Sequence, residues 1–377
     1  MDYIPFHVPH IPESTYGAIK DVIKSGWLTT GPKVRIFEKT FGQIIDSKNT
    51  IAVSSCTAAL YLAYLAHKLG VGDEVIVPSF TFCSTINTLI HVGATPVFCD
   101  IDEKTLCLDP LDIERKITKK TKAIVVVHYG GMPADMDKIN ALATKNNLIV
   151  IEDAAHAFMT KYKGQYIGSG SNTTCFSFYA TKNLTTSEGG MITTNNEEIS
   201  NYVQLMRMHG ISKHAWNRYG KEGDWHYDVI APGYKYNMTD IEAVIGIEQL
   251  KEVQVSIDRR KYLANKFKRQ LERNQNIILP TEVIYADSQH AWHLYVIRIN
   301  DQSKISRDDL IQKLKTVGIG TSVHFIPNHM QSYYRKNNIS LPVTDKVYNS
   351  IISLPFYQDL TDDQVKYICH NINVLTK

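Results

Sequence analysis

The chain has 377 residues and is 44% hydrophobic, which allows a sizeable buried core, and its formal net charge is +3. It contains no long run of like charges, so neither nucleic acid nor an anionic membrane is indicated as a partner. No stretch of about 18 apolar residues occurs, which excludes a membrane span, and the N-terminus lacks the pattern of a signal peptide.

The cysteines favour a reducing compartment. None of the six belongs to a CxxC pair, and all lie among apolar or small residues: Cys56, Cys83, Cys99, Cys107, Cys175 and Cys369. This pattern predicts buried, reduced thiols in a cytoplasmic protein rather than a disulfide scaffold.

Short apolar runs alternate with helical stretches through the first two-thirds of the chain. Five runs are predicted to be strands: IAVSS (51–55), DEVIVPS (73–79), TPVFCD (95–100), KAIVVVHY (122–129) and LIVIEDAA (148–155). Strands that are apolar on both faces and separated by helices predict an α/β fold, with a doubly wound, mainly parallel sheet covered on both sides. The stretch GGMITTN (189–195) predicts one more strand, which could be antiparallel.

The pattern of apolar and charged residues changes after about residue 250. A long charged amphipathic helix (250–275) is followed by HLYVIRI (293–299), a helix at 306–318, TSVHFIP (321–327) and a terminal helix from about Thr361. Mixed strands and helices of this kind predict a small α+β domain. The expected division is therefore a large domain at 1–250 and a small C-terminal domain at 251–377.

Four features of the sequence fall at the carboxyl ends of predicted strands, where ligands gather in a doubly wound sheet. The small residues at 54–58, SSCTA, join a strand to a helix whose N-terminus can cradle a phosphate. Phe82 can offer a flat aromatic face. Asp153 ends an apolar run, where a carboxylate needs a cation or donors. Ser177 and Lys182 flank an aromatic-rich bend.

These features together suggest a cofactor with a phosphate, an aromatic ring, a ring cation and an aldehyde, and pyridoxal 5′-phosphate has all four. The amine of Lys182 can form a Schiff base with the aldehyde, and Asp153 can keep the ring nitrogen protonated. Once released from the cofactor, Lys182 becomes the base that moves a proton to and from the substrate carbon.

Each of these residues also has an ordinary interpretation. Lys182 could be a solvated loop lysine, Asp153 a helix N-cap, and Phe82 a core aromatic. Thr57 and Ser177 could be capping or strand residues. His324 and His329 in HFIPNH invite a metal interpretation, but no cysteine or carboxylate pair lies nearby in the sequence, so no metal site is predicted.

The ordered series of motifs resembles the DegT/DnrJ/StrS family of sugar aminotransferases, which have the fold-type I architecture and use pyridoxal phosphate on nucleotide-linked keto sugars. The series covers nearly the whole chain: SGWLTTGPKVRIFEKTF, SSCTAAL, GDEVIVPSFTF, GATPVFCDID, VVHYGGMPADMDKI, IEDAAHA, FSFYATKNLTTSEGGM, PGYKYNMTDIEAVIGIEQL, WHLY and VHFIPNH. Any one of these motifs is weak evidence, whereas their order is specific.

The resemblance implies a role for each matching position. Lys182 matches the lysine that bonds the cofactor, and Asp153 matches the partner of the ring nitrogen. The remaining cofactor contacts that it implies are the phosphate contacts Thr57, Ala58 and Ser177 and the stacking aromatic Phe82. His156 stands where many members have a glutamine that contacts the phenolic oxygen of the cofactor, and histidine can also donate there.

Two further sets of residues rest on the same resemblance. Lys235 in GYKYN replaces an asparagine that reaches the phosphate from the neighbouring subunit, which implies a homodimer with shared sites. Trp27, Leu28 and Thr29 match a segment that lines the sugar site in relatives, and His324 matches a residue on the substrate side. Glu188 is interpreted as a turn and packing position.

HYGGMPADMD and GYKYNMTD look most like enzymes that aminate C4 of UDP-4-keto sugars in surface-polysaccharide pathways. The resemblance therefore implies transfer of an amino group from glutamate to such a sugar. Two alternatives stay open: a pyridoxal phosphate-dependent sugar dehydratase, although relatives of that kind carry histidine at the lysine position, and a sugar-sensing protein without catalysis. A nicotinamide enzyme is disfavoured because no GxGxxG follows the first strand. The polar, aromatic stretch 209–228 is interpreted as a loop over the site.

Overall fold

The computed structural model describes residues 2–212, 227–335 and 339–377, and most of the loop predicted at 209–228 lies outside these residues. The strands are β1 (Asn49–Val53), β2 (Glu74–Pro78), β3 (Thr95–Cys99), β4 (Thr121–Val127), β5 (Ile149–Asp153), β6 (Lys161–Tyr162), β7 (Gln165–Tyr166), β8 (Thr173–Ser177), β9 (Gly190–Thr194), β10 (Ile277–Ile278), β11 (Tyr295–Ile299) and β12 (Ile351–Leu354). The helices are α1 (Ser14–Ser25), α2 (Pro32–Ile45), α3 (Cys56–Ala66), α4 (Cys83–His91), α5 (Pro110–Lys116), α6 (Met136–Asn146), α7 (Glu197–Met206), α8 (Asp240–Leu250), α9 (Val253–Leu271), α10 (Arg307–Thr316), α11 (Pro342–Ser350) and α12 (Asp362–Leu375).

A seven-stranded sheet organises the first two-thirds of the chain, with the strand order β1-β9-β8-β5-β4-β2-β3. Strands β8, β5, β4, β2 and β3 pair in parallel. Strand β9 is antiparallel to both of its neighbours, β1 and β8, as the sequence suggested for 189–195. The doubly wound, mainly parallel sheet is thereby confirmed.

Both faces of this sheet are buried, which is why its strands read as continuous apolar runs rather than as alternating ones. In β2, Val75 and Val77 belong to one apolar cluster whereas Ile76 belongs to the cluster on the other face. The same alternation holds in β4, where Ala123 and Val125 face one cluster. A strand of this kind needs helices on both sides, and α3 and α4 pack against each other on one of them.

The C-terminal part of the chain forms a second, smaller sheet with the order β10-β11-β12, and both pairings are antiparallel. Its core is shared with α9, α10 and α12. Ile4 also belongs to this core and forms a parallel bridge with Ile319, so the N-terminal segment packs on the small domain. Helix α8 ends at Leu250 and α9 begins at Val253, close to the predicted division of the chain, which stays a prediction.

One local prediction differs from the structure. The stretch 321–327 is not a strand, because within it only Ser322 bridges another segment, at Ser353. The third strand of the small sheet is instead β12, which pairs with β11. Its fully buried residues carry little alternation, and Ser353 interrupts the apolar run, so the sequence pattern was ambiguous there.

All six cysteines are free thiols, and five of them are buried while Cys83 is half-buried. Among the described residues no helix is both long and apolar enough to cross a membrane.

Candidate active site

A cleft of about 450 Å³ opens at the carboxyl ends of the central strands, where the small domain meets the large one. Most of the predicted site residues line it: Thr57, Phe82, Asp153, His156, Ser177, Lys182 and His324. They come from the ends of β1, β2, β5 and β8 and from the C-terminal domain, so the fold collects residues that are far apart in sequence. This is the position at which an open α/β sheet binds its ligand.

Lys182 lies in the connection between β8 and β9. That connection is held by backbone hydrogen bonds, in which Phe178 N–H donates to Gly189 O and Thr186 N–H donates to Phe178 O, both at 2.9 Å. Burial of the amine lowers the pKa of Lys182 to about 8, while Cys56 and Asp153 act in the opposite direction. About a tenth of the amine is therefore neutral at pH 7, far more than for an ordinary lysine, and a neutral amine can attack a carbonyl carbon.

Asp153 lies at the floor of the cleft and is almost fully buried. The hydroxyl of Thr85 donates to its Oδ2 at 2.8 Å, and the backbone N–H of Ala155 donates to its Oδ1 at 3.1 Å. Burial raises the pKa of the carboxyl, while these two hydrogen bonds and the charge of Lys182 oppose the shift. Both hydrogen-bond donors are neutral and no described residue forms an ion pair with Asp153, so a protonated ring nitrogen would supply the direct cationic partner.

The N-terminus of α3 supplies the region suited to a phosphate. Ser55 is its N-cap and accepts the N–H of Ala58 at 3.1 Å, while Thr57 is exposed to the cleft. Strand β9 approaches this turn so closely that a Cβ at Gly190 would lie 2.6 Å from the carbonyl group of Ser55. The glycine therefore keeps the turn in place, and the helix terminus favours an anion.

His156 presents a hydrogen-bond donor to the cleft. The backbone N–H of Gly130 donates to its Nδ1 at 3.2 Å, which leaves the proton on Nε2. Burial, and then the charge of Lys182, lower the pKa of His156 well below its ordinary value. The ring is therefore neutral at physiological pH, and its Nε2–H can donate to an oxygen such as the phenolic oxygen of the cofactor.

His293 also lines the cleft, although no role was predicted for it from the sequence. Its ring centroid lies 4.4 Å from that of His156, and its Nδ1 is 3.2 Å from Oδ1 of Asn183. The amide nitrogen of Asn183 donates to Ala291 O, so its Oδ1 is an acceptor and Nδ1 of His293 carries the proton. The sequence feature that could have indicated a role for His293 is its position in the WHLY motif.

His324 is placed by the small domain on the opposite wall of the cleft. Its Nδ1 is 2.9 Å from the hydroxyl of Ser353, and its ring stacks on Phe6 at a centroid distance of 5.2 Å. Burial, and then Lys182, lower its pKa to about 4. His324 therefore adds a neutral polar group to the site rather than a charge.

Phe82 marks the open side of the cleft. Its side chain is 57% exposed, which is unusual for a phenylalanine, and its ring lies 5.8 Å from that of Phe325. An exposed ring at the mouth of a polar cleft can stack on a planar ligand, whereas a core aromatic would be buried. Glu188 is also exposed and lines the cleft.

The remaining predicted residues lie away from the cleft lining of their own chain. Ala58 is buried, and its N–H is bonded to Ser55. The segment of Trp27, Leu28 and Thr29 is held against α8, where Leu28 O accepts the N–H of Asp240. Their roles stay predictions.

Lys235 is exposed, and its amine contacts the sulfur of Met208 at 3.7 Å rather than the cleft of its own chain. Its proposed contact with a phosphate therefore needs a second subunit, and it too stays a prediction.

The residues at the cleft fit pyridoxal phosphate. A helix terminus suits the phosphate, an exposed ring suits stacking, a buried carboxylate has no ion-pair partner among the described residues, and a lysine of depressed pKa lies in the same cleft. Lys182 occupies the position at which the resemblance assigns histidine to dehydratases, which disfavours that alternative.

Comparison with known proteins gives the same result. Residues 9–373 match the model of the DegT/DnrJ/EryC1/StrS aminotransferase family. The chain is 44% identical to the spore coat polysaccharide biosynthesis protein SpsC of Bacillus subtilis, over 100% of this chain and 97% of that protein.

Solved structures agree with the fold. Spr1654 from Streptococcus pneumoniae, described as a sugar aminotransferase, superposes in its PMP form with a TM-score of 0.93 at 33% identity, covering 99% of each chain. Its PLP form gives a TM-score of 0.92. PseC of Helicobacter pylori, an aminotransferase involved in the biosynthesis of pseudoaminic acid, gives 0.92 at 26% identity and covers 100% of this chain and 99% of that one.

The fold is therefore that of the fold-type I sugar aminotransferases, and the cofactor is pyridoxal phosphate. With a family match that spans nearly the whole chain and relatives that share both the fold and the cofactor, this protein belongs to the DegT/DnrJ/EryC1/StrS family of aminotransferases.

Proposed function

We propose that this sugar aminotransferase takes its amino group from glutamate and delivers it to the C4 keto carbon of a UDP-linked sugar, for surface polysaccharide or glycan biosynthesis. The observation that carries the aminotransferase chemistry is the meeting of Lys182, Asp153 and His156 in one cleft. The names of SpsC and PseC support a role in the synthesis of surface sugars. The nucleotide, the position of amination on the sugar and the identity of the amino donor are inferred from the motif resemblance.

When bound, pyridoxal phosphate supplies an electron sink that makes the carbon next to the transferred nitrogen acidic. The protein residues do the rest. Thr85 and Ala155 hold the carboxylate of Asp153 in place, where it would pair with the protonated ring nitrogen of the bound cofactor. His156 donates its Nε2–H to an oxygen of the cofactor. Thr57 and Ser177 border the site for the phosphate.

Lys182 is the proton carrier. Its Nζ would move a proton from one side of the transferred nitrogen to the other, away from the carbon of the amino donor in the first half-reaction and, in the reverse direction, onto the carbon of the sugar in the second. This role needs an amine that can exist in both protonation states near neutral pH, and the pKa of about 8 provides that. Phe82 and Phe325 line the cleft and would limit the access of water to the reacting carbon once the substrate is bound.

We also propose a homodimer that works in the cytoplasm, with each cleft completed by Lys235 of the partner subunit. The exposure of Lys235 and its distance from the cleft lining of its own chain favour this arrangement. The six free thiols fit a reducing compartment.

The donor and the chemistry are tested by recording the absorbance of the purified protein with pyridoxal phosphate before and after glutamate is added. We expect the band of the lysine-bound cofactor to give way to that of the pyridoxamine form. A band that does not respond to glutamate would exclude this donor and would favour either another donor or a dehydratase. Absence of any band would leave a sensor as the better interpretation.

The sugar is tested with the aminated cofactor and a set of keto sugars. We expect conversion of UDP-4-keto sugars and recovery of the lysine-bound band, with the amine found at C4 by NMR of the product. Equal rates with the free sugar, or amination at C3, would contradict the proposed substrate.

A further inference from the structure

Arg260 is a buried cation without an acidic partner. It lies on α9 at a position of the apolar stripe, between Ile257 and Ala264, and is 3% exposed. Its Nη1 donates to Trp292 O at 3.0 Å, whereas its Nε has no hydrogen-bond partner among the residues that the structure describes. Within residues 2–212, 227–335 and 339–377, no carboxylate forms an ion pair with it. An amphipathic helix normally places an apolar residue at such a position.

The guanidinium is also close to the cleft. It lies 5.9 Å from the ring of Phe356, which lines the cleft on the side of the small domain. Burial lowers the pKa of Arg260 to about 10, so the group remains charged at physiological pH. A buried charge of this kind is costly unless an anion or several acceptors accompany it.

A narrow cavity of about 30 Å³ connects Arg260 with the catalytic lysine. Its lining includes Arg260, Lys182, Asn183 and His7. By volume it has room for about two water-sized groups. Two oxygen atoms of one carboxylate need about that space, and an arginine binds a carboxylate side-on through two parallel N–H groups.

We propose that the free edge of Arg260, at Nε, binds the α-carboxylate of the amino donor. This inference rests on the proposed function, since it assigns a binding residue for the donor of the same reaction. The α-carboxylate is joined to the carbon whose amino group takes the place of the Lys182 amine. A cavity that Lys182 itself lines is therefore within reach of that carboxylate.

His7 completes the site. It forms a hydrogen bond with the backbone at Ala180, and its buried Nε2 has no partner within the described part of the chain. Burial, and then the charge of Arg260, lower its pKa to about 4. A carboxylate bound to Arg260 would offset that charge and favour a proton on Nε2, which would then donate to the same carboxylate.

The test compares two ligands on the cofactor-loaded dimer. 2-Methylglutamate carries the α-carboxylate and has no α-hydrogen, so it binds without turnover. 4-Aminobutyrate is glutamate without the α-carboxylate. We expect Arg260→Gln to weaken binding of 2-methylglutamate at least about 10-fold, by spectral titration, and to change binding of 4-aminobutyrate less than about 2-fold.

Arg259→Gln is the matched control. Arg259 is the neighbour of Arg260 on α9, but it donates to Gln358 O and Leu360 O and does not line the cavity. This variant should leave both affinities unchanged. Equal weakening of both ligands by Arg260→Gln, or no weakening of either, would overturn the proposal.

A structure of the wild-type protein with 2-methylglutamate tests the same contact without any variant. We expect a carboxylate oxygen about 2.9 Å from Nε of Arg260. A carboxylate elsewhere in the cleft would overturn the proposal even if Arg260→Gln fails to fold. If glutamate proves not to be the donor, the proposed donor is wrong, but the Arg260 contact would still show with 2-methylalanine.

Discussion

The reactivity of Lys182 is set by its surroundings at the scale of a single residue. Burial lowers the pKa of its amine from 10.5 to about 8, because a charged group loses hydration in the cleft. Asp153 and Cys56 limit the shift. The amine is thus poised between the two protonation states that a proton carrier needs.

A pH dependence follows from this value. Only the neutral amine attacks the aldehyde, so the rate of covalent attachment of pyridoxal phosphate should rise as the pH approaches about 8 and level off above it. Stopped-flow absorbance on the cofactor-free protein measures that rate. Lys182→Ala should show no attachment and no turnover. A rate that continues to rise beyond pH 10 would contradict the lowered pKa.

Asp153 can be tested independently of its role in packing. Asp153→Asn keeps the shape, and the hydroxyl of Thr85 can turn to accept from the new amide. We expect the melting temperature of the cofactor-free variant to change little, because burial already raises the pKa of the carboxyl and disfavours its charge. Turnover should fall at least about 100-fold. A large loss of stability with normal turnover would show a structural role instead.

The sequence predicted the site residues that follow the ends of strands. It did not predict the residues that only tertiary packing brings close to Lys182. Asp153 and Lys182 were found because a polar residue after an apolar run is a local signal. His7 and Arg260 have no such signal: one lies near the N-terminus, and the other looks like a charge on an already charged helix. Their position beside Lys182 depends on how the small domain packs on the large one.

At the scale of elements, the close approach of β9 to the turn after β1 determines the shape of the phosphate region. Val53 pairs with Gly190, and the glycine has no room for a side chain. The antiparallel direction of β9 was suggested by the sequence. The position of this strand between β8 and β1 was not, because strand order is set by long-range packing.

Gly190→Ala should therefore loosen the phosphate region. The added Cβ would lie 2.6 Å from the backbone of Ser55, and relief of this clash requires the turn to move. We expect a loss of about 1–3 kcal/mol in the free energy of unfolding of the cofactor-free protein, by urea denaturation, and weaker cofactor binding.

Gly170→Ala serves as the control for this substitution. No atom lies within 4 Å of the position that a Cβ at Gly170 would take, so neither property should change. Unchanged cofactor affinity in Gly190→Ala would show that the turn does not contact the phosphate.

At the scale of the whole molecule, the proposed dimer predicts that activity returns when two variants are mixed, which would not occur with a monomer. Lys182→Ala lacks the amine proposed to act in catalysis, and Lys235→Ala lacks the residue proposed to act in the partner subunit. A mixed dimer of the two has one site with both lysines. Random mixing of equal amounts should then restore about a quarter of wild-type activity.

The mixing experiment requires that the subunits exchange, which size and mass analysis of tagged variants can establish. If Lys235 acts within its own subunit, both sites of the mixed dimer lack one lysine and no activity returns. Normal activity of Lys235→Ala alone would remove the residue from the site altogether.

The position of β1 at the edge of the large sheet has a consequence for how the protein folds during its synthesis on the ribosome. Among the described strands its neighbour in that sheet is β9 alone, which is synthesised well over 100 residues later. At ordinary rates of translation this delay is on the order of 10 s, during which β1 and the turn that follows it have no sheet to join. The turn proposed to bind the phosphate of the cofactor therefore cannot be held in place by the sheet until β9 has emerged.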